Sequence, residues 1–306
     1  MEHYDVVIAG AGPAGMSAAL VLGRACRRVL LCDTGTPRSW ASKEMHAYLS
    51  RDGIPPQRFL EICRRELRDY RCVRFAPVEV KGARRIQEGF SIALGGRKPM
   101  RVRGRKLLIA SGLFDIVPRI RGFDALFGRS VFQCPYCDGW EMRGRKIAVY
   151  GRRQRGFQMA RAMTAWARDI VLCSDGPARF TADEHRQLDR NGIRVIETRV
   201  AELKGRRGQL QSVVFADGSV LPRDTLFFDT PSRGQSRLAA SLGCRFGRDG
   251  GVVCGAYEAT SVPGVFVAGN ITRDVQLSIV AAAEGARAAF GINRALTRED
   301  FAKRAI

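Results

Sequence analysis

The 306-residue chain contains no apolar run approaching the roughly 20 residues that a membrane-spanning helix requires. Its histidines are only three, His3, His46 and His185, and none stands beside a serine or cysteine in a nucleophile motif. The nine cysteines are an odd number, scattered from Cys26 to Cys254 with one close pair, which excludes the disulfide framework of a small secreted domain. Low-complexity segments and long linkers are missing too. No secretory leader is evident, because Met1 to Asp5 runs straight into the strand-like Val6 to Ala9. A cytoplasmic protein with no membrane partner is expected.

Acidic residues are in short supply. Asp and Glu number 30 against 51 Lys and Arg, a formal charge of +21, and 44 of the basic residues are arginine. They are spread along the whole chain without an aromatic-interleaved basic stretch or a DNA-binding motif. Solvated faces are therefore expected, not a nucleic-acid groove. The positive field still favours acidic partners. A hydrophobic share of 45% and a charged share of 26% fit a globular chain of this length with about two domains.

What is present begins with a nucleotide-binding pattern. The apolar run Val6 to Ala9 reads as a strand buried on both faces, followed by Gly10-Ala11-Gly12-Pro13-Ala14-Gly15, an Ala- and Leu-rich helix to Arg24, and a second strand Val29 to Cys32. Gly10 makes the tight turn, Gly12 lets backbone approach a pyrophosphate, and Gly15 lets helix pack on strand. Pro13 and Ala14 open the helix, whose unpaired N–H groups suit phosphate. Asp33, at the end of the second strand, is placed to accept hydrogen bonds from a ribose, and Thr34 and Arg38 beyond it are further cofactor-binding candidates.

The rest of the chain reads as a duplication of this unit. A helix over 56–70 and short strands over 72–103, with Gly95-Gly96 as a hairpin turn, lead to a buried strand from Lys106 to Ala110 that ends in Ser111-Gly112. The irregular stretch 113–130 reads as a crossover. The pattern then restarts with a strand Ile147–Tyr150, a loop Gly151–Gly156, a helix Phe157–Ala167 and a strand Ile170–Cys173. A helix at 181–190 and strands near 193–203 and 210–215 follow. A buried strand Val265–Ala268 ends at Gly269-Asn270, and an Ala-rich helix runs from Ser278 to Leu296.

The second loop departs from the first. In Gly151-Arg152-Arg153-Gln154-Arg155-Gly156 an arginine, Arg153, stands where the middle glycine belongs, in the space of a pyrophosphate. At the end of the next strand, Cys173-Ser174-Asp175-Gly176 offers an acid that repels a 2′-phosphate and suits a plain ribose. Poor NADPH binding is expected, with weak NADH binding left open. The counter-reading is that Arg152, Arg153 and Arg155 clamp phosphates in a modified pose.

Between the two loops lies Cys134-Pro135-Tyr136-Cys137-Asp138-Gly139. This spacing on a first helical turn brings both sulfurs to one face, and Pro135 fits that turn. A helix N-terminus lowers a thiol pKa, and Asp138 could serve as acid or base for the exchange. Structural zinc would need a second CxxC or CxxH, and the chain has none, so no metal is expected. A glutaredoxin-type site, which also carries Pro-Tyr between its cysteines, finds no room for its separate domain here. His46 reads as a plain polar or partly buried residue in preference to a flavin contact.

Taken together, the chain resembles the low-molecular-weight thioredoxin reductase family of flavoprotein disulfide oxidoreductases, nearly end to end. The likeness rests on the first glycine loop, Leu108-Ile109-Ala110-Ser111-Gly112, the CPYCDG run, and Thr260-Ser261-Val262-Pro263-Gly264-Val265-Phe266-Val267-Ala268-Gly269. It implies an α/β fold of two Rossmann-like (three-layer ββα) nucleotide-binding domains. The FAD domain, 1–114 with 245–306, would be discontinuous around an inserted NAD(P)-type domain, 115–244, that carries the cysteines. It implies FAD as cofactor, Cys137 as the flavin-facing cysteine, Cys134 as the one that attacks substrate, and Asp138 as the acid. Ser111, Gly112, Gly269, Asn270 (where the family usually has Asp) and Gln276 fall where the family contacts FAD. A homodimer and an alternating domain rotation are implied as well.

The altered second loop and the run to Trp140-Glu141 are similar to a branch of that family containing gliotoxin- and holomycin-type dithiol oxidases and reductases that do not use NADPH. The expected activity is FAD-dependent thiol–disulfide exchange with a thioredoxin-like protein or small dithiol metabolite, without conventional NAD(P)H binding. The alternatives are an NAD(P)H-dependent thioredoxin reductase, a reductase fed by a ferredoxin-type acidic donor, and a basic flavoprotein with vestigial cysteines that only binds a partner.

Overall fold

The computed structural model describes residues 1–96, 100–234 and 237–304. Strand β1 (His3–Ala9), helix α1 (Pro13–Arg24) and strand β2 (Val29–Cys32) form the opening βαβ unit. Val6, Val7 and Ile8 and the whole of β2 are buried, as strands covered on both faces must be. Helix α2 (Pro56–Leu67) starts at a proline, where a missing N–H leaves no bond unmade, and leads to β3 (Val73–Ala76). Strands β4 (Val80–Ile86), β5 (Gly89–Leu94) and β6 (Met100–Ile109) complete this part of the sheet, in the order β3-β2-β1-β6-β5-β4. From β3 to β6 the strands are parallel, whereas β6, β5 and β4 form an antiparallel flap.

The chain then leaves through β7 (Leu113–Asp115), α3 (Phe123–Leu126), β8 (Val131–Phe132) and α4 (Pro135–Asp138). A second unit follows: β9 (Ile147–Gly151), α5 (Arg153–Met163), β10 (Ile170–Cys173), α6 (Ala182–Arg190) and β11 (Arg194–Ile196). The flap of β12 (Val200–Arg206), β13 (Gln209–Phe215) and β14 (Val220–Pro222) precedes β15 (Thr225–Asp229). The second sheet is parallel throughout, in the order β11-β10-β9-β15-β8. Strand β16 (Ser232–Gly234) pairs antiparallel with β7, so the outgoing and returning crossings form one ribbon. After α7 (Arg237–Ser241), β17 (Val265–Val267) lies parallel to Leu107–Ile109 of β6, returning the chain to the first sheet. Helix α8 (Ser278–Arg304) packs on α1 so closely that a Cβ at Gly285 would lie 2.7 Å from the carbonyl carbon of Ala14.

Three helices differ from expectation, and the first, α2, ends at Leu67 instead of residue 70. Helix α5 begins at Arg153, not Phe157, because in both units the helix starts within the glycine loop. Helix α8 continues past Leu296 to Arg304, because Asp300 and Glu299 are drawn onto Arg27, Arg105 and Lys106 of the first unit. Among the described residues no helix is long and apolar enough to cross a membrane.

Candidate active site

Because β8 is parallel to β15, Cys134 emerges at the carboxyl edge of the second sheet, the edge at which open α/β sheets place their chemistry. Cys134 and Cys137 are joined in a disulfide with their Cα atoms 5.2 Å apart. Cys134 caps α4, its Sγ accepting from the backbone N–H of Cys137 at 3.1 Å. Helix α4 is only four residues long, so its dipole is weaker than the spacing argument assumed. Gly139 ends the turn against Trp166, where a Cβ would lie 2.9 Å from the indole. The Tyr136 ring meets the same indole edge-on at 5.5 Å.

Asp138 follows directly, and burial pushes its pKa up to about 7, against the attraction of His46 and with the repulsion of Glu141. His46, on the loop after β2, is partly buried as expected and faces Glu141 of the segment that follows the dithiol. Its Nε2 lies 3.4 Å from Glu44 and 3.7 Å from Glu141, and its Nδ1 lies 3.5 Å from Asp52. Burial opposes its protonation, but the carboxylates of Glu141, Asp52 and Glu44 outweigh that and raise its pKa.

In the first loop, Gly10 has φ +111 and its Cβ would collide with Ala110, while a Cβ on Gly15 would strike the Gly10 carbonyl. Gly12 differs: nothing lies within 4 Å of its Cβ position, so the loop is open where a ligand would approach. Asp33 accepts from the N–H groups of Ala11 (3.3 Å) and Gly35 (3.1 Å), with the Arg64 guanidinium 3.8 Å away. Thr34 meets Thr36 at 3.0 Å. Arg38 grips Asp115 of β7 through Nε and Nη2, both at 2.6 Å, and donates Nη1 to Gln276 at 2.6 Å. Two candidates far apart in sequence are thus brought together. Gly112 and Gly269 adopt positive φ, +69 and +79, at the carboxyl ends of β6 and β17, beside Ser111 and Asn270. The Gly269 N–H donates to the buried carboxylate of Glu284 on α8, whose pKa burial raises.

Side chains at the second loop pair within the chain. Asp175 is buried and accepts from Arg152 (2.5 Å), Tyr150 (3.0 Å) and the N–H of Val200 (2.9 Å). These three partners hold its carboxylate at the end of β10. Arg155 pairs with Asp229 at 3.0 Å, and Gln154 bonds Glu184. Arg153 is exposed, with φ +51, a conformation glycine adopts freely and arginine does not.

Residues 4–285 match the pyridine nucleotide-disulphide oxidoreductase family. The chain belongs to that family. It is 30% identical over 276 residues to thioredoxin reductase tcpT of Claviceps purpurea (strain 20.1), covering 87% of this chain and 86% of that one. The crystal structure of HlmI superposes with a TM-score of 0.93 at 35% identity, over 99% of this chain and 95% of the other. A putative thioredoxin reductase TrxB from Bacillus anthracis gives 0.90 at 29%, over 97% and 99%.

This is therefore a thioredoxin reductase-like flavoprotein oxidoreductase with two Rossmann-like domains. Members of the group typically bind FAD. The open space at Gly12, ringed by positions where a Cβ would meet backbone, fits a pyrophosphate against the N-terminus of α1. Sequence reasoning missed Asp115, Glu284, Asp52 and Glu141. Only Glu141 carried a local signal, since it lies three positions after Asp138, in the turn that follows α4.

Proposed function

We propose that this protein is an FAD-dependent thiol–disulfide oxidoreductase in which Cys134 and Cys137 exchange electrons with a substrate dithiol or disulfide, without conventional NADPH binding. It acts as a dithiol oxidase or as a reductase fed by another donor. One observation carries the reading: a disulfide beside a proton-holding carboxyl, Asp138, shares its sheet edge with a nucleotide loop neutralised from within. Gly10, Gly12, Pro13, Ala14, Gly15, Asp33, Thr34, Arg38, Ser111, Gly112, Gly269, Asn270 and Gln276 would hold FAD, which when bound supplies the two-electron partner for the dithiol.

In the oxidase direction a substrate thiol gives its proton to Asp138, and its sulfur bonds to Cys134 Sγ. The Cys134–Cys137 bond breaks and Cys137 leaves as a thiolate with the electron pair. The second substrate thiol, losing its proton to solvent water, attacks the mixed disulfide. The substrate departs as a disulfide, and Cys134 departs as a thiolate that takes up the proton held by Asp138. Cys137→Ser leaves Cys134 a lone thiol, which should trap a mixed disulfide with the disulfide form of the substrate and none with its dithiol form, whereas Cys134→Ser should abolish exchange.

The substrate is a thioredoxin-like protein or a small dithiol metabolite. An acidic protein donor suits the +21 charge. The domains proposed are 1–114 with 245–306 and 115–244, a division supported by the β7–β16 ribbon. Seven unpaired cysteines suit a reducing cytoplasm. A homodimer is supported by exposed Phe290 of α8, tilted against exposed Tyr257 with ring centroids 5.6 Å apart.

The test is anaerobic bleaching of the yellow protein. A small dithiol should bleach it alone, with colour returning in air. Rapid bleaching by micromolar NADPH would overturn this reading and establish the second one, an NAD(P)H-dependent thioredoxin reductase, which the name of the Claviceps relative favours.

A further inference from the structure

The loop between α1's βαβ unit and α2 folds back on itself, with Met45 N–H on the Ile54 carbonyl at 2.8 Å and Gly53 N–H on the Met45 carbonyl at 3.0 Å. At its tip Ala47 and Ser50 take positive φ, +59 and +73, conformations that only a constrained turn imposes on such residues. Asp52 holds the turn by accepting from the Ala47 N–H at 2.7 Å, and its other oxygen faces His46 Nδ1 at 3.5 Å. The imidazole is oriented in this way from the first unit. Its side chain is 16% exposed, and its Nε2 points between Glu44 at 3.4 Å and, on the second unit, Glu141 at 3.7 Å. Glu141 stands three residues beyond Asp138, and its Oε2 is buried with no hydrogen-bond partner. A half-buried ring placed among carboxylates on both sides of the boundary is more than a polar filler requires.

We infer that His46 is a positioning residue for the dithiol centre: its imidazolium, oriented by Asp52 and set against Glu141, fixes the charge state of Asp138 and thereby the readiness of that carboxylate to take a proton from an attacking thiol. The charged groups that face it are Glu44 and Asp52 on its own loop and Glu141 on the facing segment, and its own charge pulls the pKa of Asp138 down. The inference rests on the redox reading of Cys134 and Cys137 above. The contact crosses from one unit to the other, so it exists only when the two are docked as here, and Asp138 loses its cation when they separate.

The experiment follows the disulfide itself and not flavin turnover. The full-length holoprotein is treated with dithiothreitol from pH 5.5 to 9, quenched with an alkylating agent at intervals, and Cys134 and Cys137 labelling is counted by mass spectrometry. In the wild type the opening rate rises through a step near Asp138's value of about 7. His46→Gln should move that step up by about one unit, making opening about tenfold slower on the acidic side. His46→Lys, which keeps the cation, should restore it. Glu141→Gln, which removes a charge from both His46 and Asp138, should displace the step from its wild-type position, and it reports even where the His46 variants fold poorly. Superimposable profiles for wild type and both Gln variants would overturn the inference and leave the redox reading standing. A wild-type disulfide that dithiothreitol never opens would overturn the redox reading instead.

Discussion

Arg38 and Asp115 form a two-armed ion pair, Nε to Oδ2 and Nη2 to Oδ1, each 2.6 Å. The pair fastens the loop after β2 to β7, the outgoing half of the ribbon on which the two units hang. The third arm of Arg38, to Gln276, adds the approach to α8. One guanidinium thus ties three chain segments that converge on the carboxyl edge of the first sheet.

A double-mutant cycle with Arg38→Met and Asp115→Asn should return a coupling of about 1–2 kcal/mol in chemical denaturation, since the pair is bidentate and only partly exposed. Arg38→Met should also lower flavin content on purification. Strictly additive losses would mean that the pair contributes nothing as a unit.

The raised pKa of Asp138 gives stability a definite slope. Its folded-state value of about 7 lies above the ordinary 3.8, so between those values the folded protein binds a proton that the unfolded chain does not. Stability therefore falls as pH rises through that window and levels off above it. Asp138→Asn should flatten that slope in thermal melts between about pH 4 and 7. It should also slow dithiol exchange by about 10²-fold or more at neutral pH, measured under anaerobic conditions.

Asp175→Ala should destabilise the protein by about 2–4 kcal/mol, because it strips three partners of a buried carboxylate. NADH affinity, measured by titration calorimetry, should not change. A variant of native stability that lost nucleotide binding would assign Asp175 the ribose role.

The glycines of the first loop should separate by phenotype. Gly12→Val should fold, with normal far-ultraviolet dichroism, yet emerge nearly colourless, because its side chain enters open space that a ligand needs. Gly15→Val should fail to accumulate as folded protein, because its Cβ meets the chain's own backbone. Full flavin content in Gly12→Val would remove the first loop from the cofactor site.

The first βαβ unit, the second strand–loop–helix and the CPYC turn were legible because their signals are local: apolar runs for strands buried on both faces, and glycines where backbone meets backbone. Helix α8 was cut short at Leu296 because what holds its last turns, Arg27 and Arg105 of the first unit, is some 200 or more positions away in sequence. The partly buried place of His46 was legible, but its partner Glu141 was not, for the same reason, since it comes from the other unit.

Composition, glycine spacing and the paired cysteines determined by themselves that this chain would build two nucleotide-type sheets with a dithiol between them, because those features act within a few residues of backbone. Only the tertiary structure decided which charges meet. It gave Asp175 to Arg152, Arg38 to Asp115 and His46 to Glu141, because charge pairing depends on distance through space, and that distance exists only once the sheets have formed and docked.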